Sequence, residues 1–309
     1  MDSTAFYLLL LLSLTAVAIP PTTSATTIGV TYSSPDSISS SVLLSPDRIA
    51  EKVVSMKIPA VRLVDSDPAM IRAFADTNVS LFLSVPNSMV PLLASNRSVA
   101  NRWVYRHVLP FHGRTNISII SVGNDAISHS PDVSPFLLRA MQNVHRSLTD
   151  LRIYNIPVST TFSYLDIIPT AFPPSAAQFQ QPIGDVIIRP ILQFLERTNS
   201  SFLINLYPYN VYRSNFGITM ALALFHDSPL SYLTDLTTGL DYRNVFDMLV
   251  DSVVCSMAVM GHENLPLIVA ETGWPRSGAY FRKVDKTMLF GEMYLKLERL
   301  AYSQPTSKG

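Results

Sequence analysis

The sequence predicts an α/β fold built as a parallel barrel, the (β/α)8 TIM barrel. Three observations lead there. Seven short β-rich runs alternate with segments of helical period. The runs are almost continuously apolar, as strands buried on both faces of a parallel sheet are. The two longest connections both follow the C-terminal ends of runs, where barrels carry their sites. Seven units exceed an ordinary flavodoxin-like domain. No GxGxxG follows the first run, which argues against a dinucleotide-binding sheet.

Taken in order, residues 1–25 read as a secretory leader. Residues 6–18 (FYLLLLLSLTAVA) form an apolar stretch too short to span a bilayer, closed by Pro20 and Pro21 and followed by small residues. The segment lacks the usual Lys or Arg near its start. The expected organisation is a leader over 1–25 and one barrel domain over 26–309.

Predicted strands follow at 27–32 (TIGVTY), 60–64 (AVRLV), 80–85 (SLFLSV), 118–122 (SIISV), 158–162 (VSTTF), 202–206 (FLINL) and 267–270 (LIVA). Three helices should start at Ser45-Pro46, Asp67-Pro68 and Ser134-Pro135, where the first residue accepts a backbone N–H and proline suits the first turn. Leu137, Met141, Val144, Leu148 and Leu151 repeat at helical spacing, as do Phe246, Leu249, Val250, Val253, Val254 and Met257. A seventh helix is predicted at 284–300, and no eighth strand follows it before Gly309. The expectation is therefore a barrel that stops after its seventh unit, with unpaired edges on the first and last strands.

Composition narrows the function. The 309 residues carry 23 Lys+Arg against 23 Asp+Glu, which gives no electrostatic case for nucleic acid or an anionic membrane. Charged residues make up 15% and hydrophobic ones 48%, a globular balance. The single cysteine, Cys255, excludes an intrachain disulfide and a cysteine-based zinc site, and reads as core filling. His107, His112 and His262 lack metal-site spacing, so no metal or cofactor is expected. Sequons at Asn78, Asn96, Asn116 and Asn199 suit a secreted glycoprotein. No later segment reads as transmembrane, and a monomer is expected.

Chemistry is to be sought at strand C-termini. The fourth strand ends in Gly123-Asn124-Asp125 and the seventh in Glu271-Thr272-Gly273-Trp274. Two carboxylates on one barrel face are the machinery of glycoside hydrolysis, one protonating the leaving oxygen while the other attacks or activates water. Each acid also suits a helix cap or a loop amide, and spacing does not choose. Asp67 reads as a cap, Asp65 as a cleft residue or a turn, and Arg62 as an ion-pair partner or a substrate ligand. The connections over 163–189 and 207–241 are rich in proline and tyrosine, and aromatic rings of this kind stack on sugar C–H faces.

The chain resembles plant glycoside hydrolase family 17, the glucan endo-1,3-β-glucosidases. The resemblance rests on IGVTY (28–32), VRLVDSDP (61–68), VPN (85–87), ISVGND (120–125), FPPS (172–175), NLYPY (205–209) and ETGWPRSG (271–278), in the family's order. It implies a barrel of the glycoside hydrolase type that cleaves β-1,3-glucan with retention, in the extracellular space or cell wall. It further implies Glu271 as nucleophile and Asp125 as acid/base, with Asn124 holding a sugar 2-hydroxyl and Tyr32, Tyr207 and Trp274 lining the cleft. Two departures stand out: Asp125 replaces the family's usual Glu, and the eighth strand is not found. Weakened catalysis is the expectation. The alternatives are a catalytically inactive glucan-binding protein or a truncated relic.

Overall fold

A computed structural model of the chain describes residues 27–33, 44–170, 172–214, 217–226 and 231–274. The leader, the helix expected at 284–300 and the chain after Trp274 lie outside these residues. All seven predicted runs are strands: β1 (Val30–Tyr32), β2 (Ala60–Leu63), β3 (Ser80–Val85), β4 (Asn116–Asn124), β5 (Val158–Ser163), β6 (Phe202–Asn205) and, last in the chain, β9 (Leu267–Glu271). They form one sheet in the order β1-β2-β3-β4-β5-β6-β9, every pair parallel.

That sheet is curled. Arg62 on β2 reaches Glu271 on β9 at 2.9 Å, although the two strands stand five places apart in the sheet. In a flat sheet the gap would be about 24 Å at roughly 4.8 Å per strand, far beyond the length of an arginine side chain. Only closure toward a barrel brings them together. Period-two alternation sorts the side chains accordingly. Arg62 lies over the Phe82 ring and near Ser84 on the interior, whereas Val61, Leu63, Leu81 and Leu83 pack outward against the helices with almost no exposure.

Local signals explain most helix starts. Ser45 caps Pro46–Ser55 by accepting the Arg48 N–H, and Asp67 caps Pro68–Ala73 by accepting the Ala69 N–H. Ser134 corrects the third expectation. It opens a 3-10 turn (Ser134–Phe136), and its hydroxyl donates to the Pro131 carbonyl instead of capping Leu137–Asp150. In Val245–Val259 the buried face runs through Met248, Leu249, Ser252, Val253, Ser256 and Met257, while Val254 faces outward. Ser252 and Ser256 satisfy their buried hydroxyls on the carbonyls one turn back. Cys255 is only half-buried, beside Asp251, so it fills a boundary and not the core.

Polar contacts join the described parts of the two long connections. Asp235, on the antiparallel pair β7 (Leu233–Asp235) and β8 (Leu240–Tyr242), is fully buried. It accepts hydrogen bonds from the Ser175 N–H (2.9 Å), the Ser175 hydroxyl (2.8 Å) and the Thr237 N–H (3.0 Å). The FPPS turn of one connection is thereby tied to the hairpin of the other. No helix among the described residues is long and apolar enough to cross a membrane.

Candidate active site

The site lies at the C-terminal ends of β4, β6 and β9, around Arg62. Arg62 is 4% exposed; its Nε donates to Ser84 Oγ (3.4 Å), and both of its terminal nitrogens point at this cluster. Its Nη1 donates to Glu271 Oε1 (2.9 Å) and Asn205 Oδ1 (3.3 Å), and its Nη2 donates to Asn124 Oδ1 (2.8 Å). A guanidinium has no acceptor, so these bonds fix the orientation of both asparagine amides. Asn205 consequently turns its Nδ2 away from Arg62 and onto Asp125, 2.9 Å from Oδ1 and 3.0 Å from Oδ2.

The acids themselves occupy different surroundings. Glu271 accepts from Arg62 through one oxygen and from the Tyr207 hydroxyl, at 2.5 Å, through the other. Its side chain remains 20% exposed. Among the described residues, Asp125 forms no ion pair. Burial pushes its pKa up, the Asn205 hydrogen bond opposes that, and the Glu271 charge adds to the rise. Tyr207 is raised by burial and by its carboxylate partner, so its proton stays on the phenol and is donated to Glu271. One carboxyl is therefore disposed to hold a proton while its neighbour faces a guanidinium.

The backbone here departs from regular strand geometry. The β4–β5 register shifts between Ser121 and Asn124, and the β6–β9 register shifts between Ile204 and Asn205. Irregularities of this kind re-aim side chains next to sites. Asp125 has φ +48°, a left-handed conformation that Asp tolerates better than most residues. The side chain of Asn87 holds both backbone polar groups of Asn124, accepting its N–H (2.8 Å) and donating to its carbonyl (2.9 Å). Gly123 leaves room for this: at φ +83°, a Cβ there would lie 2.9 Å from Leu137 Cδ2 and 3.1 Å from Asn87 Oδ1.

Of the residues singled out in the sequence, Asn124, Asp125, Tyr207 and Glu271 come together in one hydrogen-bonded cluster. Tyr32 closes β1 at the same end of the barrel and is half-buried against the core. Trp274 is 5% exposed and packs edge-on to Tyr209 (5.0 Å between centroids) and tilted to Tyr212 (6.1 Å). Those two tyrosines are themselves half-buried. Asp65 sits in an exposed turn and accepts the Asp67 N–H. Sequence reasoning passed over Asn87 and Asn205, although both fall inside the motifs VPN and NLYPY. It left Arg62 open, and the hint was a charge inside an otherwise apolar strand. His107 stacks on Trp103 and meets its carbonyl, and His262 pairs with Glu196; neither approaches the site.

Comparison with known proteins follows the same lines. The model of Glycosyl hydrolases family 17 matches residues 37–292. Probable glucan endo-1,3-beta-glucosidase A6 of Arabidopsis thaliana is 36% identical over 238 residues, which cover 76% of this chain and 49% of that protein. Glucan endo-1,3-beta-glucosidase 11 of the same plant is 33% identical over 283 residues, covering 90% of this chain and 64% of that protein. The chain thus spans about half the length of several curated relatives it matches. Among solved structures, CJP38, a beta-1,3-glucanase and allergen of Cryptomeria japonica pollen, superposes with a TM-score of 0.80 at 30% identity, over 88% of this chain and 83% of that one. A chain from work on two plant beta-glucan endohydrolases with distinct substrate specificities gives 0.76 at 27% identity, over 87% and 84%.

Proposed function

The chain belongs to glycosyl hydrolases family 17, and from that membership we propose that it is a secreted, retaining endo-hydrolase of β-1,3-glucan with Glu271 as nucleophile and Asp125 as acid/base. The observation that carries the reading is the unequal pair of carboxyls. Glu271 is held by Arg62 and Tyr207, while Asp125 is pushed toward its protonated form by burial and by the charge of Glu271. A carboxyl disposed to hold a proton, beside a second carboxylate held in place by hydrogen bonds, is what an acid/nucleophile division needs.

The reaction then runs in two steps. Glu271 attacks the anomeric carbon as the glycosidic C–O bond breaks, and Asp125 delivers its proton to the departing oxygen. An ester between Glu271 and the sugar results. Asp125, now a carboxylate, takes a proton from water as that water attacks the same carbon and frees Glu271. Arg62 and Tyr207 each donate one hydrogen bond to a different oxygen of Glu271, which orients the carboxylate and leaves a lone pair on each oxygen for attack. Asn124 has its amide oxygen occupied by Arg62 and by Asn205 Nδ2, and its own Nδ2 makes one long bond to Asp125 Oδ2 (3.5 Å), which leaves the second N–H of that amide for a sugar hydroxyl. Tyr209 and Tyr212 present rings for stacking, with Trp274 bracing them from beneath.

The deciding experiment is reducing-sugar release from a linear β-1,3-glucan by the purified mature chain, with Glu271→Gln as control. Release that vanishes in the control supports the enzyme. A folded protein that releases nothing but still binds glucan would be a binding protein in which Asp125 cannot reach the leaving oxygen.

A further inference from the structure

We infer that the chain is N-glycosylated at Asn78, Asn96, Asn116 and Asn199, and that these glycans crowd the end of the barrel opposite the carboxylate pair. The four sequons are Asn78-Val79-Ser80, Asn96-Arg97-Ser98, Asn116-Ile117-Ser118 and Asn199-Ser200-Ser201. A short N-x-S pattern arises often by chance and proves little alone. Their placement in the fold is the stronger argument.

All four asparagines are exposed. Asn78 lies two residues before β3, Asn116 is the first residue of β4, and Asn199 lies three residues before β6. Each therefore stands at a strand N-terminus, and the proposed site stands at the C-termini. Asn96 belongs to the same end. Its neighbour Arg97 pairs with Asp150, the last residue of the helix that leads back to the start of β5. Strand β4 itself measures the separation. It has Asn116 at one end and Asn124, hydrogen-bonded to Arg62, at the other, eight steps away, or about 26 Å at roughly 3.3 Å per residue.

The side chains also suit attachment. Asn96 caps Arg97–His107 through Oδ1, which accepts the Ser98 N–H at 2.9 Å, so the cap bond does not engage the reacting nitrogen, Nδ2. Asn78 and Asn116 flank two loops tied by the Asp76 N–H to Arg114 carbonyl bond (2.7 Å) and by the Asp76–Arg114 ion pair. Their glycans would share one patch. Between Asn116 and Asn199 along this rim stands Tyr154, 73% exposed just before β5, an apolar surface that carbohydrate would cover.

The chemistry is transfer from a lipid-linked diphospho-oligosaccharide in the secretory pathway. The asparagine Nδ2 displaces the lipid diphosphate from the anomeric carbon. A C–N bond forms, the C–O bond to phosphate breaks, and one amide proton passes to a base of the transferase. Redox state does not change.

The test is secretion of the full chain from a eukaryotic host, in parallel with a version in which residues 1–25 are replaced by a proven secretory leader. The product is released from its glycans by a peptide N-glycosidase in heavy-oxygen water and its peptides are weighed. The expected result is an oxygen-labelled Asp at each of the four positions. Glucan hydrolysis should stay within about two-fold of the glycosylated enzyme, since the sugars lie far from the cleft. Secreted protein from either version that carries no label would overturn the inference. So would a loss of hydrolysis of ten-fold or more on deglycosylation of a protein that remains folded, because the glycans would then bear on the site. Peptide labelling reads out even if no glucan is cleaved, so failure of the enzymatic reading leaves this test intact.

Discussion

Replacing Asp125 by Glu should raise turnover of β-1,3-glucan. The added methylene carries the carboxyl about 1.5 Å further from the backbone, roughly one carbon–carbon bond. Misplacement by about 1 Å costs on the order of 100-fold, and a positioned general acid contributes about 100- to 10,000-fold. A gain in kcat of about 10- to 100-fold is therefore expected on glucan, whose leaving oxygen needs the proton. On an aryl glycoside with a good leaving group the gain should stay under about three-fold, because protonation matters little there. A small loss of stability should accompany it. Position 125 sits at φ +48°, and Glu is less at ease there than Asp, at a cost of up to about 1 kcal/mol. The assays are initial rates on both substrates and a thermal melt of both proteins. A folded Glu variant that is no faster than the native chain on glucan would refute the reasoning. It would mean that the Asn205 amide, 2.9 and 3.0 Å from the two Asp125 oxygens, already holds the shorter acid in place.

Three further outcomes are expected. Asp125→Asn should stabilise the protein at pH 7: a carboxyl whose folded pKa is raised favours folding fully below its unfolded value, near 3.9, and loses that contribution as pH rises through the folded pKa. Thermal melts should show the Asn variant ahead at neutral pH and the gap closing below about pH 4; a constant gap would contradict the assigned shift. Gly123→Ala should cost about 2–4 kcal/mol in denaturant titrations, combining a left-handed backbone with a Cβ 2.9 Å from Leu137 Cδ2, and a neutral result would show that Leu137 gives way freely. Arg62→Met and Glu271→Gln should each destabilise, by up to about 3–5 kcal/mol for a partner left buried and unpaired. The double variant should lose less than the two together, with a coupling of at least about 1 kcal/mol; additive losses would mean that the pair contributes nothing as a pair.

The strand succession was legible because burial on both faces forces continuous apolar runs, and such runs survive in the sequence at β2, β3, β6 and β9. Asn124 and Asp125 were legible for the opposite reason: polar residues that end an apolar run have no use in a core. What stayed hidden depended on contacts remote in sequence. Asn205 looks like any strand end until Arg62, 143 positions away, fixes its amide. Asn87 reads as turn chemistry until its side chain is seen holding the backbone of Asn124. Trp274 read as a ring of the cleft wall, and Tyr209 and Tyr212 stand over it. Cys255 read as core because its neighbours are apolar, but a helical period places it at the edge of the buried face, next to Asp251.

The acid of this site answers to two demands that pull on one position. In a regular strand successive side chains point to opposite faces, so Asn124 and Asp125 cannot both reach the interior from an unbroken β4. The register shift after Ser121 and the left-handed turn at Asp125 resolve that, bringing both onto Asn205. The backbone N–H and carbonyl of Asn124 are both satisfied by the amide of Asn87. Such a turn favours a short polar side chain that tolerates positive φ, which Asp is. Delivery of a proton across a cleft favours the longer one. Asp at 125 satisfies the backbone first, and Asn205, oriented by Arg62 from the far side of the barrel, is the group that decides how much reach remains.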